Sequence, residues 1–478
     1  MSATLDQPTG LLLGNGWEHP NTDLAVVNPF SGDVIARVAQ ADEADVARAV
    51  AAATRHLPPP PPAARAAVLE RAAAIVAGRA DQLGRVIAAE AGKPLAQARV
   101  EAARCADTLT FAAVEARRLA GRMVPMEGSA SGAGKLAFTL AEPIGVVAAI
   151  APFNFPLNLV AHKVAPAIAA GCPVVLKPAE ATPLSALALA AILLEAGLSA
   201  GALTLLNGPG ETIGQAVAEH PDVAMISFTG SAAVGWELAR RHPRKRVALE
   251  LGNATHVIVA DDADLVRAAE RIAASGFTHA GQSCVSVQRV IAHEAIHDRL
   301  LELLVERVER LVVGDPLDPA TDVGPLITSA ARDRVVSWTQ EAIAAGARLA
   351  TGGAVRDGLL APTVLSDVDP AMRVFTDEVF GPLVGFTRFG TIDEAIGLAN
   401  ATPYGLQAGI FTARTDRALG WARRLRFGGV LINETPTFRA DQMPYGGLKD
   451  SGNTREGPAE AVRSMTEPRL VVVEIPPR

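Results

Sequence analysis

Apolar positions along the chain follow two alternating rhythms. Between residues 42 and 56, Val46, Ala49, Val50 and Ala53 recur at helical spacing behind Asp42, a side chain suited to an N-cap, which predicts a helix. A second helix starts near Ala63, and the prolines Pro58 to Pro62 form a stiff spacer that continues neither helix. From about residue 144 the rhythm changes to short apolar runs separated by helical segments: IGVVAAI (144–150), CPVVLK (172–177), ALTLL (202–206), VAMISF (223–228), RVALEL (246–251) and HVIVA (256–260). Such runs predict an α/β fold with a buried parallel sheet and right-handed crossovers, and ligands then bind in the turns after the strands. A second α/β series follows residue 262, with helices expected near 263–275, 294–311, 329–345, 391–400 and 415–425. Two stretches belong to neither series: the polar, glycine-containing stretch 121–139 and a strand over Arg469–Ile475. Unpaired strands at a chain end invite pairing with another subunit, so an oligomer is expected.

A length of 478 residues exceeds what one core supports and implies two or three domains. With 49% hydrophobic and 20% charged residues, the chain has the composition of a fully folded protein. A formal charge of -7 argues against a broad surface for nucleic acid or anionic lipid and favours a small-molecule partner. Three scattered cysteines, Cys105, Cys172 and Cys284, suit neither a disulfide framework nor a closed zinc site; no metal is expected, and a reducing compartment is. No basic leader and no membrane-length apolar run are present, which makes the expected location cytoplasmic.

Cys284 lies in GQSC, a glycine-containing turn before the β-branched residues Val285, Val287, Val290 and Ile291, which read as a strand. Cys105 on its helix and Cys172 before a buried strand read as inert small hydrophobes; Cys284 at an element boundary is the candidate nucleophile. A thiol intermediate needs a base to release it, and Glu250, ending an otherwise apolar strand, is either that base or a salt-bridged strand end. Asn154, between Pro152 and Pro156, either donates to a developing oxyanion or satisfies its own turn. No GxGxxG follows a strand, but Gly208, Gly210 and Gly214 follow one run, and Thr229, Gly230, Ser231 and Gly235 another, each opening a helix whose N-terminal amides could face a phosphate. Lys177 and Glu180 add a cation and a carboxylate suited to ribose hydroxyls, or are ordinary surface polarity.

Taken together, PFNFP (152–156), KPAE (177–180), FTGS (228–231), LELG (249–252), GQSC (281–284) and EVFGP (378–382) resemble, in order and spacing, the motifs of the aldehyde dehydrogenase superfamily. The resemblance implies an aldehyde dehydrogenase-like α/β fold: a Rossmann-type dinucleotide domain (1–120 and 140–250), an α/β catalytic domain (251–440) and a small β oligomerisation arm (121–139 and 460–478) serving a homodimer or homotetramer. It implies oxidation of a small-molecule aldehyde to a carboxylic acid, with Cys284 as nucleophile, Asn154 as oxyanion donor and Glu250 as base for thioester hydrolysis. It also implies cofactor contacts from Lys177 and Glu180 at the adenosine ribose, Gly230 and Ser231 at the pyrophosphate, and Glu378 with Phe380 at the nicotinamide ribose. Phe153, Phe228 and Leu251 would line the channel, with Gly210 and Gly252 beside it. A carboxylate at Glu180 repels a 2'-phosphate, so NAD is expected over NADP.

Asn253 stands where many members of that family carry a glycine; asparagine tolerates a left-handed backbone better than other non-glycine residues, so the turn can survive the change, and the placement of Glu250 depends on it. His256, opening an apolar run, reads as structural. The segment 437–457 resembles the anchor loop of the branch holding lactaldehyde-like and phosphonoacetaldehyde-like dehydrogenases. Phe155, Ser283 and Val285 beside the reacting centre are uncharged, leaving Arg104 and Arg439 as more distant partners for an anionic substrate. Three other readings remain: a coenzyme A-acylating dehydrogenase, which Glu250 disfavours; a catalytically idle binding protein; and a thiol hydrolase, for which His279 is close only in sequence.

Overall fold

The computed structural model describes residues 8–14 and 16–475. The outermost ends of the expected first domain and arm, 1–7 and 476–478, lie outside the described residues. The helix behind Asp42 spans Glu43–Arg55 and is closed by a reciprocal capping box between Asp42 and Asp45, with Val46, Ala49, Val50 and Ala53 all buried. The next helix runs Pro62–Gly78, with proline in its first turn as that position favours.

The runs of the first series form one sheet in the order Arg246–Glu250, Val223–Thr229, Val146–Ile150, Val174–Lys177, Leu203–Leu205, all parallel, extended by the antiparallel strands Leu11–Leu13 and Gly16–Glu18. The chain moves outward from Val146–Ile150 in one direction and then returns to add Val223–Thr229 on its other side. That reversal is a topological switch point, and the crevice beyond those two strand ends is where such sheets bind ligands. One face is packed by the helix Asn158–Ala170, buried at every position, and the helix Leu95–Arg118 packs on that helix in turn.

HVIVA does not join this sheet. Between Glu250 and His256 the chain crosses to a second sheet, ordered Arg348–Thr351, Thr363–Ser366, Leu383–Phe389, Arg289–His293, His256–Val259, Gln407–Phe411, Gly429–Ile432. All but the first pairing are parallel. Its helices, Leu265–Phe277, His297–Val308, Ser329–Ala344, Ile392–Asn400 and Thr415–Ala422, lie within a few residues of their expected places.

The two orphan stretches meet. Thr466–Glu474, Lys135–Pro143 and Met123–Val124 form a three-stranded antiparallel sheet. Its strands are longer than expected, one reaching Pro143 and the other starting at Thr466, whereas the helix Pro458–Ser464 packs back on Asn158–Ala170.

Candidate active site

Cys284 sits in a loop rather than at the edge of a strand. The strand expected to follow it directly begins only at Arg289, because residues 283–286 form a turn closed by Ser286 N–H donating to the Ser283 carbonyl at 3.0 Å. Val285 packs with Leu406 and Tyr445 beside the thiol, and Val287 enters the main core, so these β-branched residues serve packing rather than pairing. Gly281 anchors the loop with φ 71°, and a Cβ there would lie 2.1 Å from the Gly381 carbonyl oxygen. Only glycine permits that approach, which brings the GQSC and EVFGP turns into contact.

Asn154 follows the strand Val146–Ile150 at the switch point and is buried. Its side-chain N–H₂ donates to the Gln282 carbonyl at 2.9 Å, which fixes the amide beside the Cys284 turn and leaves its second hydrogen available. Among the described residues the backbone N–H of Cys284 donates to no protein acceptor. The GQSC turn therefore has two unspent donors at it, one hydrogen of the Asn154 amide and the Cys284 N–H, a pair of the kind an oxyanion uses.

Glu250 ends its strand between Thr229 and Gly452 and is 5% exposed. Neither carboxylate oxygen has a hydrogen-bond partner among the described residues, so the salt-bridged strand end is not what forms. Burial, reinforced by Glu456, pushes its pKa well above the usual carboxylate range against the opposing pull of Arg439, Lys163 and Arg455. Burial likewise pushes the Cys284 thiol up to about 12; the Tyr445 hydroxyl and Arg439 oppose this, while Glu378 and Glu250 add to it. Cys105 and Cys172 are buried with thiols raised by desolvation, Cys172 to about 11, as inert core cysteines are.

The expected cofactor residues gather at the strand ends. Lys177 Nζ and Glu180 Oε1 are 3.3 Å apart, and the Gly210 N–H donates to the same oxygen at 2.5 Å. The Gly210 amide is thus spent on holding Glu180 rather than left free for a phosphate. Ser231 instead caps the helix Ala232–Arg241, accepting from Val234 N–H at 3.4 Å, and the Phe228 ring lies against Gly230. Phe153 and Phe380 meet edge to face at 5.9 Å, the latter held at φ 47°. A Cβ on Gly252 would lie 2.2 Å from Glu378 Oε2, which brings LELG and EVFGP together next to Leu251. Burial pushes Glu378 up to about 7 although it accepts the Asn253 N–H at 2.9 Å. An exposed carboxylate, a capped helix start and a pair of aromatic rings following the strands of a switch-point sheet are of the kind that fits a dinucleotide.

Asn253 does not use the left-handed backbone that it tolerates: it is not among the residues with positive φ. Its amide donates to Thr255 Oγ1 (2.8 Å) and the Gln407 carbonyl (3.2 Å), which pins the crossover after Glu250 to the second sheet. His256 is fully buried, edge-on to Phe427 at 4.6 Å, with its pKa well depressed by desolvation, and is structural. His279 is also fully buried, with no partner at either ring nitrogen among the described residues, and gives Cys284 no thiol-protease partner.

A cavity of about 340 Å³ opens onto Cys284, with Phe155, Ser283 and Val285 near the sulfur and Arg104 further out. Arg104 is held by Asp441 through Nη2 (2.8 Å) and Nε (3.1 Å), and its Nη1 makes no protein hydrogen bond among the described residues. Arg439 differs: it donates to Glu456 at 2.8 Å and stacks 4.1 Å from the Tyr445 ring centroid, so it is a structural cation at the cavity wall.

Sequence reasoning missed Tyr445, Asp441, Glu456 and Lys163. Tyr445 reaches the Cys284 sulfur at 2.9 Å, and Lys163 Nζ contacts Thr229 Oγ1 at 2.6 Å behind Glu250. The loop 437–457 stood out as a block, but nothing in its pattern says which side chains turn inward.

A sequence model described as the aldehyde dehydrogenase family matches residues 17–471. The chain is 42% identical over 475 residues to a 3-sulfolactaldehyde dehydrogenase of Priestia megaterium, covering 99% of this chain and 100% of that one. It is 40% identical to aspartate-semialdehyde dehydrogenase 1 of Pseudomonas canavaninivorans, over 95% and 97% of the two chains. The crystal structure of aldehyde dehydrogenase 21 from Physcomitrella patens in complex with the reaction product succinate matches at 38% identity and TM-score 0.94, over 97% and 98% of the chains. That of a glyceraldehyde-3-phosphate dehydrogenase from Methanocaldococcus jannaschii complexed with NADP matches at 37% identity and TM-score 0.90, over 95% and 100%.

Proposed function

The chain belongs to the aldehyde dehydrogenase family, and from that premise we propose that it oxidises its aldehyde through a thioester on Cys284, with Asn154 and the Cys284 amide as oxyanion donors and Glu250 as the hydrolytic base. The activity itself is oxidation of an aldehyde to a carboxylic acid with NAD or NADP. The observation that supports the residue assignment is a buried, unpartnered carboxylate acting on the Cys284 thiol, with the Asn154 amide held on the adjacent Gln282 carbonyl. Sulfur adds to the aldehyde carbon, and the two donors hold the oxygen of the thiohemiacetal. A bound nicotinamide dinucleotide supplies the hydride acceptor. Glu250 then takes a proton from water as its oxygen adds to the thioester carbon, and the C–S bond breaks to give the acid and the thiolate. That base makes water, rather than coenzyme A, the acceptor of the acyl group. The test is NADH absorbance over a panel of short aldehydes.

For the cofactor, the reading is NAD over NADP. Glu180 is exposed and fixed by Lys177 and Gly210, so its charge sits where a 2'-phosphate would have to enter. The NADP complex of one similar structure makes this a real choice. The expected kcat/KM with NAD exceeds that with NADP by about tenfold or more, and Glu180→Gln narrows the gap. Higher kcat/KM with NADP overturns the assignment.

For the substrate, the proposal is a short aldehyde with an anionic group, met by Arg104. The aldehydes named for two relatives carry a sulfonate and a carboxylate, and succinate is itself a dicarboxylate. Asp441 orients Arg104 and leaves Nη1 unspent at the cavity. Burial raises the Asp441 carboxyl, but His162 and Arg104 outweigh it and hold the group below the ordinary range, so the clamp stays charged at neutral pH. Arg104→Gln is expected to raise KM for a sulfonated or carboxylated aldehyde about 10- to 100-fold and to leave KM for propanal unchanged. Equal changes for both substrates remove this reading. The arm exposes Leu470, Val472, Val473, Leu136 and Leu140, which supports assembly into a homodimer or homotetramer, read out by sedimentation velocity.

A further inference from the structure

The Tyr445 hydroxyl lies 2.9 Å from Cys284 Sγ and makes no other hydrogen bond among the described residues. The ring is 4% exposed and packs on Val285 and Leu406, so the hydroxyl has little freedom to turn elsewhere. Its backbone is fixed as well. Tyr445 N–H donates to the Glu456 carbonyl at 2.8 Å and Glu456 N–H returns a bond at 2.5 Å. Glu456 also fixes Arg439 at 2.8 Å, and that guanidinium covers the Tyr445 ring at 4.1 Å. The adjacent Gly446 abuts Glu250, since a Cβ there would lie 2.9 Å from Glu250 Oε1. One short segment thus presents a phenol to the nucleophile and the next residue to the base.

A neutral thiol and a phenol can exchange donor and acceptor roles. A thiolate has no proton, so in that state the phenol must donate. We propose that Tyr445 is a catalytic hydrogen-bond donor to the Cys284 sulfur, carrying its negative charge before it attacks the aldehyde and again when it is expelled in thioester hydrolysis, with Arg439 as the positioning residue that fixes the ring. This rests on Cys284 being the nucleophile. When the thiol ionises, its proton leaves to solvent or to Glu250, and Tyr445 keeps its own. In the thiohemiacetal and thioester the sulfur is neutral and a weak acceptor, so the bond loosens; it re-forms as the C–S electron pair returns to sulfur.

The charged and titratable groups facing the sulfur are Glu378, Glu250, Arg439 and Tyr445. Both carboxylates oppose the thiolate, and the two groups that favour it are the members of the stack. Among these groups of the described residues, Arg439 is the one cation. Removing the hydroxyl therefore leaves Arg439 alone against both carboxylates and desolvation.

The test is the pH dependence of iodoacetamide alkylation of the cofactor-free enzyme, wild type against Tyr445→Phe, with Cys284→Ala as the background. The phenylalanine keeps the ring, the packing and the face presented to Arg439. The expected result is a thiol midpoint about one unit higher in the variant. At pH 7 the thiolate fraction then falls about tenfold, but a more basic thiolate is about threefold more nucleophilic, so the alkylation rate falls only about threefold. The pH midpoint thus separates an electrostatic role from a structural one, which would leave it in place. Arg439→Gln, which keeps the hydroxyl but removes both the ring's support and a cation that favours the thiolate, is expected to shift the midpoint in the same direction. An unchanged midpoint in folded Tyr445→Phe, confirmed by an unaltered Tm and NADH titration, overturns the proposal. It leaves Cys284 as nucleophile intact, since that assignment is tested separately by the activity of Cys284→Ala.

Discussion

Replacing Cys284 with alanine is expected to lower aldehyde oxidation by about 10⁴-fold or more while NADH still binds. The aldehyde carbon surrenders hydride only once it is tetrahedral and its oxygen carries charge, and the sulfur creates that state. Without it, the Asn154 amide and the backbone N–H at position 284 remain in place but have no adduct to stabilise. The two halves of this result come apart experimentally. NADH absorbance at saturating aldehyde reads the chemistry, and fluorescence titration with NADH reads the cleft proposed to be lined by Glu180, Ser231, Glu378 and their neighbours. Activity within tenfold of wild type contradicts the assignment of the nucleophile.

The second large effect is expected of Glu250→Gln, a replacement of nearly equal shape that cannot accept a proton. Acylation proceeds and hydrolysis stalls, so NADH appears as a burst of about one equivalent per active site, followed by turnover about 10²- to 10⁴-fold slower. Both oxygens of Glu250 are buried and unbonded among the described residues, and burial raises the pKa well above the ordinary carboxylate range. A protonated carboxyl is not a base, so hydrolysis gains as pH rises and Glu250 loses its proton. The acidic limb of kcat in the wild type is therefore expected at a midpoint above that of an ordinary carboxylate, and stopped-flow measurement of the post-burst rate should show that limb lost in Glu250→Gln. A variant that turns over at the wild-type rate with no burst contradicts the base assignment.

Much of this was legible in the sequence, and the limits are physical. The alternating runs placed the parallel strands because a strand buried on both faces must be continuously apolar. The helix behind Asp42 was legible because its cap and its stripe are local. HVIVA was grouped with the wrong sheet, since its composition equals that of its neighbours and only tertiary contacts say where the chain crosses over. Val285 and Val287 suggested a strand by β-branching, but their side chains fill space beside Tyr445 and in the core while the backbone turns. At Asn253 the sequence left the turn and the placement of Glu250 open, because what fixes them is a side chain that bonds across to Gln407, a partner 154 residues away. Tyr445 and its Arg439–Glu456 support were missed for the same reason: a lone tyrosine in a polar loop carries no local signal, and its meaning comes from the cysteine that it touches 161 residues away.

Intact-protein mass spectrometry of Glu250→Gln, quenched in acid just after the NADH burst, looks for the covalent species itself. The expected result is a mass gain equal to the acyl group of the aldehyde, mapped by digestion to the peptide containing Cys284 and absent when that cysteine is also replaced. A full burst with no adduct, or with the acyl group on another residue, would contradict a thioester at Cys284.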